Sequence, residues 1–431
     1  MKIKELHHHF LSSSGISTDT RTIELGNLFF ALKGPNFDAN AFAEKALENG
    51  AKLAIIDDPK HLVDGDNRYV LVEDGLKTLQ ALATYHRDQF QIPVIGLTGS
   101  NGKTTSKELI NVVLSTQYKT LATKGNLNNH IGVPLTLLCM ETETEIAIIE
   151  MGANKQGDIA ELSGIAKPTH GFITNIGKAH LEGMGGFEGV LKTKTELFQF
   201  LKETGGNVFI NTLQSIFSNM LKRFEDPILF PEPGSFCEVK FEGADPFVSF
   251  SLPGINLQFT SQLIGAYNFD NIAAAIAIGK YFGIAPETAA KAIIGYIPSN
   301  MRSQVLEKRS NLILLDAYNA NPSSMAAALQ TFGTMKQRKK SMVVLGDMLE
   351  LGDQAEKEHA QIGEILAHLQ IDKVCLTGNL IQAALKNIPN ALYFPDPFSL
   401  RNWLQDSKLE DYQILIKGSR GMKLEGLVDF I

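Results

Sequence analysis

Short apolar runs alternate with amphipathic helical stretches along most of this chain. That alternation predicts an α/β protein built on mostly parallel sheets with crossover helices. At 431 residues the chain is too long for a single core, and its composition breaks predict three domains. The expected divisions are 1–85, 86–300 and 301–431. The first break falls ahead of Pro93 and the second follows a Gly-, Pro- and Ser-rich stretch at 283–301.

In the first segment, strand-like runs at 28–32, 53–56 and 69–72 flank an amphipathic helix at 42–49. Together they read as a small α/β unit. Ser17, Asp19 and Arg21 cluster before the first of these strands, a pattern that by itself suits a turn or N-cap. A helix over 76–88 leads into the second segment. There, strands are expected at 92–97, 146–149, 172–174 and 208–210, followed by short broken strands over 236–264 and an Ala/Ile-rich helix over 268–282. The third segment repeats β–α four or five times. Strands at 312–315, 342–345, 374–376 and 414–416 alternate with helices such as 323–335 and 354–369, a doubly wound, Rossmann-like pattern. It lacks the glycine fingerprint of dinucleotide folds, so a nicotinamide cofactor is not supported.

The most informative stretch joins the 92–97 strand to a helix through Thr98-Gly-Ser-Asn-Gly-Lys-Thr-Thr105. Strand, glycine turn and helix start make a phosphate site, because backbone amides and the positive end of the helix dipole converge on an anion. Gly99 and Gly102 permit close backbone approach, and Ser100, Asn101 and Thr105 contribute loop amides. Lys103 adds a point charge, and the Thr104 hydroxyl is placed to ligate magnesium. The common G-x-x-x-x-G-K-[ST] pattern would need glycine at 97, where this chain has Leu97. The loop is thus a shortened G-x-x-G-K-T-T, and an ATP or GTP site is expected.

Other polar groups fall at expected strand ends, where open α/β sheets place ligands. Glu150 ends the 146–149 strand, the position of a magnesium carboxylate in phosphate-loop proteins. His180 follows the 172–174 strand between Gly177 and Gly183, and is read as a ligand rather than a structural histidine. The segment 125–134 is polar and glycine-flanked. Its Asn128 and Asn129 suit hydrogen bonding to a ligand, although turns use asparagine as readily. From spacing alone, Lys194 is a solvated helix lysine with no role.

Composition narrows the class further. The chain is 44% hydrophobic and 20% charged, with no apolar run near the length of a membrane helix, so neither disorder nor a membrane span is expected. A net charge of −7 argues against nucleic-acid binding. Cys139, Cys237 and Cys375 are odd in number and lack metal-ligand spacing, which reads as reduced thiols in a cytoplasmic protein; the N-terminus has no signal-peptide core. His7, His8 and His9 are read as a partly buried or surface cluster rather than a ligand set.

Taken together, the loop 98–105, the 126–134 stretch, Glu-Met-Gly-Ala-Asn at 150–154 and Thr-Asn-Ile-Gly-x-x-His-Leu-Glu-Gly at 174–183 closely resemble the Mur ligases. The likeness extends to Asp-Ala-Tyr-Asn-Ala-Asn-Pro-Ser-Ser-Met at 316–325, Leu-Gly-Asp-Met-Leu-Glu-Leu-Gly at 345–352 and Ile-Lys-Gly-Ser-Arg-Gly-Met at 416–422. It also takes in residues 17–21 and 29–34. The motifs most resemble the branch that joins D-alanyl-D-alanine to UDP-N-acetylmuramoyl-tripeptide in peptidoglycan precursor synthesis.

The resemblance implies a monomeric three-domain ligase: an N-terminal UDP-sugar-binding domain, a central phosphate-loop ATPase and a C-terminal Rossmann-like domain that closes on ATP. It implies that Lys103 and the loop amides hold the β- and γ-phosphates, and that Thr104, Glu150 and His180 hold magnesium. Lys194 would be the lysine carbamylated by CO₂, with Lys192 the alternative. Asn271 would meet adenine, and Arg302 and Asp316 would reach the nucleotide. Tyr318, Asn319, Asn321, Lys417, Ser419 and Arg420 would face the dipeptide or acyl phosphate, while Ser17, Asp19, Arg21, Asn128 and Asn129 would serve substrate binding. Tyr267 departs from the family, where histidine is usual, which loosens the adenine assignment. The rival readings are a sister ligase or a folylpolyglutamate-synthetase-like enzyme, which tends to carry Lys-Gly-Ser after the loop glycine. A non-catalytic nucleotide sensor, which would be expected to lose Lys103, Glu150 or His180, is a third.

Overall fold

The computed structural model describes residues 1–299, 301–335 and 340–431. Its three larger sheets, mostly parallel with helices packed against them, are those the alternating pattern predicts, and two small antiparallel sheets accompany them among the described residues. In the first, Ile16–Ser17, Leu28–Phe30, Leu53–Ile56 and Tyr69–Leu71 run parallel in sequence order. The helices Ile3–Leu11, Ala43–Glu48 and Gly75–Arg87 accompany them.

The central sheet has six parallel strands in the order Ile228–Phe230, Asn207–Asn211, His170–Ile173, Val94–Thr98, Ile146–Glu150 and Thr120–Ala122. This order positions the site. Val94–Thr98 lies between Ile146–Glu150 and His170–Ile173, and all three point the same way. The glycine loop, Glu150 and the 174–183 segment therefore emerge side by side at one edge, in the crevice where such sheets bind ligands.

Beside this sheet, Lys240–Ala244, Phe247–Ser251 and Gln258–Ile264 form an antiparallel meander. The Asn268–Tyr281 helix has weak amphipathicity because it is apolar nearly all round and buried. Ile272, Ala274, Ile276 and Ile278 are all fully inaccessible. It packs against Lys103–Leu114, the helix that opens at the glycine loop.

The third sheet runs Gln304–Lys308, Asn311–Asp316, Tyr412–Lys417, Lys340–Gly346, Lys373–Thr377 and Leu392–Phe394. Its first pair is antiparallel and the rest are parallel. One contiguous apolar cluster links the three units, from Leu6 and Phe30 through Val94 and Leu197 to Leu329 and Val343.

Several elements depart from the sequence reading. The histidine run sits on an unforeseen helix, Ile3–Leu11, whose Leu6, His7 and Phe10 face inward. His7 Nε2 and His86 Nδ1 are 3.0 Å apart, and His86 Nε2 lies 3.0 Å from the Met140 carbonyl oxygen. A carbonyl only accepts, so His86 carries its proton on Nε2 and receives one from His7. Burial lowers the pKa of both rings, consistent with neutral packing groups. The expected break near 85 falls inside Gly75–Arg87, which packs on Ile3–Leu11 and also on Gly132–Leu137 and Asp158–Ala166. The 283–301 stretch, read as a boundary, contains the helix Pro286–Ile294, with Ala289, Ala290 and Ile293 buried. Thr120–Ala122, Ile228–Phe230, Gln304–Lys308 and Leu392–Phe394 are strands too short or too polar for their periodicity to declare them.

Candidate active site

The glycine loop is held by its neighbour. Gly99 and Gly102 have φ of +150° and +78°. A Cβ at 99 would fall 1.9 Å from Thr174 Oγ1, and one at 102 would fall 2.6 Å from Asn271 Oδ1. The 174–177 segment braces the loop from the side. Ser100 N–H donates to the Asn175 carbonyl and Asn101 N–H to Asn175 Oδ1, both at 3.0 Å, while Thr174 Oγ1 donates to the Asn101 carbonyl at 2.6 Å. Gly102 offers the Lys103–Leu114 helix no side-chain cap, which leaves first-turn amides for an anion. Lys103 Nζ folds back to the Gly99 carbonyl at 2.7 Å. Desolvation pushes this ammonium down to about 8, against the opposing pull of Glu150 and with help from Arg302.

Glu150 is buried at the end of its strand. Its Oε1 accepts from Thr104 Oγ1 at 3.2 Å and from Asn128 Nδ2 at 2.7 Å, whereas its Oε2 is buried without a hydrogen-bond partner. An unsatisfied carboxylate oxygen in a buried site is costly unless a cation meets it. Thr104, Glu150 and His180 all line one cavity. Among the described residues no cluster of three or more His, Cys, Asp or Glu forms a closed metal cage. This donor set fits magnesium, which keeps waters and phosphate oxygens and needs few protein ligands.

The two candidate lysines separate clearly. Lys192 is exposed, and Lys194 is 1% accessible with its Nζ unpartnered. Desolvation, followed by the nearby charge of Lys103, drives the Lys194 amine well below the ordinary lysine range. Lys194 is not itself part of the cavity wall.

The opposite wall comes from the third sheet. The Arg302 guanidinium lies 3.6 Å from the centre of the Tyr318 ring. Lys417 pairs with Asp316 at 2.5 Å and donates to the Asn319 carbonyl at 3.3 Å. Tyr267 Oη and Ser303 Oγ, from opposite walls, are 2.9 Å apart. Asn321 caps Pro322–Thr334 in a capping box with Ser324, and its Nδ2 also donates to Asn101 Oδ1 at 2.7 Å. Between the walls lies a cavity of about 840 Å³.

Its lining includes Ser100 to Thr105, Asn128, Asn129, Glu150, His180, Asn271, Arg302, Asp316, Tyr318, Asn319, Asn321 and Lys417. Besides the pairs already described, two asparagines of this lining are held by neighbours. Asn129 Oδ1 accepts from the Ile131 and Gly132 amides, and Asn271 is held by Ser106 and Asn268.

Gly99, like Lys194, lies off this wall, and so do Ser17, Asp19, Arg21, Ser419 and Arg420. Ser17, Asp19 and Arg21 form a self-contained turn, in which Asp19 accepts from the Arg21 amide at 2.9 Å and from its guanidinium. Ser419 is buried, accepting from the Leu349 amide and donating to the Ala320 carbonyl. Arg420 pairs with Glu425. The sequence reading passed over Tyr267 and Ser303 as wall residues, and over Glu350, which contacts His180. Glu350 lies within the 345–352 motif, so a signal existed, but its partner is 170 residues away in sequence.

Residues 97–279 match the Mur ligase middle domain, residues 301–420 the Mur ligase glutamate ligase domain, and residues 12–87 the catalytic domain of the Mur ligase family. The chain belongs to the Mur ligase family. It is 39% identical over 427 residues to the UDP-N-acetylmuramoyl-tripeptide–D-alanyl-D-alanine ligase of Bacillus subtilis, covering 96% of this chain and 92% of that one. Its fold matches a crystal structure of MurF from Acinetobacter baumannii with a TM-score of 0.86 at 33% identity, over 96% of this chain and 92% of the other. A MurF ligase from Thermotoga maritima in complex with ADP matches with a TM-score of 0.84 at 26% identity, over 98% and 97%. The three-unit architecture of this Mur ligase is therefore that of solved MurF enzymes.

Proposed function

We infer that this protein joins D-alanyl-D-alanine to the terminal carboxylate of UDP-N-acetylmuramoyl-tripeptide, consuming ATP and releasing ADP and phosphate. The observation that carries this reading is the near full-length likeness to the Bacillus subtilis ligase of that activity, combined with a cavity walled on one side by a phosphate loop.

A carboxylate is a poor electrophile, so the reaction first gives it a leaving group. A peptide carboxylate oxygen attacks the γ-phosphorus of ATP, the bond to ADP breaks, and an acyl phosphate forms. The free amine of D-alanyl-D-alanine then attacks the acyl carbon, phosphate leaves with the bridging oxygen, and the amine gives up a proton. The travelling phosphoryl group spreads negative charge over its oxygens, so the site must present cations and donors. Lys103 and the Gly102–Thr105 amides meet the phosphates on one side, the Ser100 and Asn101 amides being held by Asn175 instead, and Arg302 approaches the nucleotide from the other. Asn271, packed against Gly102, is assigned to the adenine end. Tyr318, Asn319, Asn321 and Lys417, with Ser419 and Arg420 behind them, are assigned to the dipeptide and acyl phosphate. Asn128 and Asn129 flank the acyl end.

Thr104, Glu150 and His180 would hold magnesium, which neutralises charge on the phosphate oxygens during transfer. Carbamylation of Lys194 by CO₂ would replace a buried amine with an anion that braces the cation. The neutral state favoured by burial is the one that reacts with CO₂, which supports Lys194 over exposed Lys192. The first domain, 1–85, takes the UDP-sugar, with Ser17, Asp19 and Arg21 at its binding face. We place the enzyme in the cytoplasm as a monomer. Among the described residues no helix is long and apolar enough to cross a membrane. The test is phosphate release from ATP and magnesium, which should require both UDP-muramoyl-tripeptide and D-alanyl-D-alanine. Release that ignores the dipeptide would overturn the assignment.

A further inference from the structure

We propose that Glu350 is a positioning residue for His180, supplied by the third domain to complete a metal site in the second. The proposal rests on His180 being a magnesium ligand. His180 Nδ1 lies 2.5 Å from Glu350 Oε2, so Nδ1 carries the proton and the carboxylate accepts it. His180 lines the cavity and Glu350 does not, so the carboxylate grips the ring from outside. The Nε2 of His180 makes no hydrogen bond among the described residues, which leaves its lone pair for a cation. Metal-binding histidines commonly donate their other N–H to a carboxylate, which fixes both tautomer and ring direction.

Backbone geometry gives an independent reason to regard the contact as built. His180 and Glu350 both have left-handed backbones, with φ of +52° and +64°. Neither is glycine, and such residues persist where surrounding structure over-determines them. The segments are also joined through the main chain, since the Glu182 amide donates to the Glu350 carbonyl at 3.4 Å. Gly352, at φ +53°, packs so closely on Glu182 that an added Cβ would lie 3.1 Å from its side chain. Burial did not draw the carboxylate here, because the Glu350 side chain is 58% accessible. The contact couples closure of the third domain to the readiness of the metal site.

The experiment is an electron paramagnetic resonance titration of the full chain with Mn²⁺ and a non-hydrolysable ATP analogue. It is paired with ¹⁵N NMR of labelled histidines, in which His180→Ala identifies the resonance. We expect Glu350→Ala to weaken Mn²⁺ binding about 10–100-fold and to release His180 into mixed tautomers. Glu350→Gln, which keeps an acceptor oxygen, should retain the Nδ1–H tautomer and lose less affinity. The proposal fails if Glu350→Ala keeps both the tautomer and the wild-type affinity while His180→Ala weakens binding. If His180→Ala leaves Mn²⁺ affinity unchanged, the assignment of His180 to the metal is itself wrong and the proposal falls with it.

Discussion

Asn321 Nδ2 donates to Asn101 Oδ1 across 2.7 Å, tying the third domain to the phosphate loop over 220 positions of sequence. The same side chain caps its own helix through Oδ1, which accepts from the Ser324 amide at 2.9 Å. One residue thus does two separable jobs. Asn321→Asp keeps the capping acceptor, loses the donor and sets a carboxylate against Asn101 Oδ1. We expect it to retain the melting temperature and lose turnover. Asn321→Ala should in addition lose about 1 kcal/mol of stability with the cap. Thermal unfolding beside steady-state kinetics separates the two, and equal loss of stability in both variants would contradict the division.

Lys194→Ala is expected to abolish ligation, and added bicarbonate should not restore it, whereas Lys192→Ala should remain active. Near-normal turnover in Lys194→Ala would remove the carbamate role.

The buried amine also makes a stability prediction. Because its pKa is lowered in the folded state, the unfolded chain binds the proton more readily, so this group destabilises the protein below the unfolded lysine pKa and ceases to do so as pH rises through it. In CO₂-free buffer Lys194→Met should therefore unfold at higher denaturant than wild type at neutral pH, and the gap should narrow toward pH of about 10.4. A gap that is constant with pH would show that packing, not charge, separates the two.

Gly99→Ala would drive a methyl into Thr174 Oγ1, the hydroxyl that anchors the Asn101 carbonyl. Displacement of the loop by about an ångström is expected to cost roughly 100-fold in kcat/KM for ATP. Activity close to wild type would mean that the loop can shift without harm.

Lys103 is held down to about 8 by desolvation, so it is a cation below that pH and neutral above it. Its attraction for phosphates is full at lower pH and fades on the alkaline side. A pH profile of kcat/KM for ATP should fall as pH rises through this value, since that ratio reports free-enzyme groups. A flat profile there would place the lysine's titration elsewhere.

Much of this is legible in the sequence alone. Leu97 in place of a loop glycine, the alternating runs of the central and third segments, and Glu150 at a strand end all follow from local chemistry, because turn residues and periodicity act over a few positions. The histidine run was harder to place. Its spacing shows no interior partner, and only the packing of Ile3–Leu11 against Gly75–Arg87 sets His7 on His86.

The same contrast governs Lys192 and Lys194, which are indistinguishable in composition and differ by two places on one helix. A rotation of 100° per residue carries one to solvent and the other into the core, and the direction of the core is a property of the whole fold. The pairings of Asn101 with Asn321 and of His180 with Glu350 are decided at the same level. By itself the sequence determined the strands, the phosphate loop and the residue types able to move a phosphoryl group. Which residues face one another across the cavity was decided by tertiary structure, because closing two domains sets distances that no local spacing encodes.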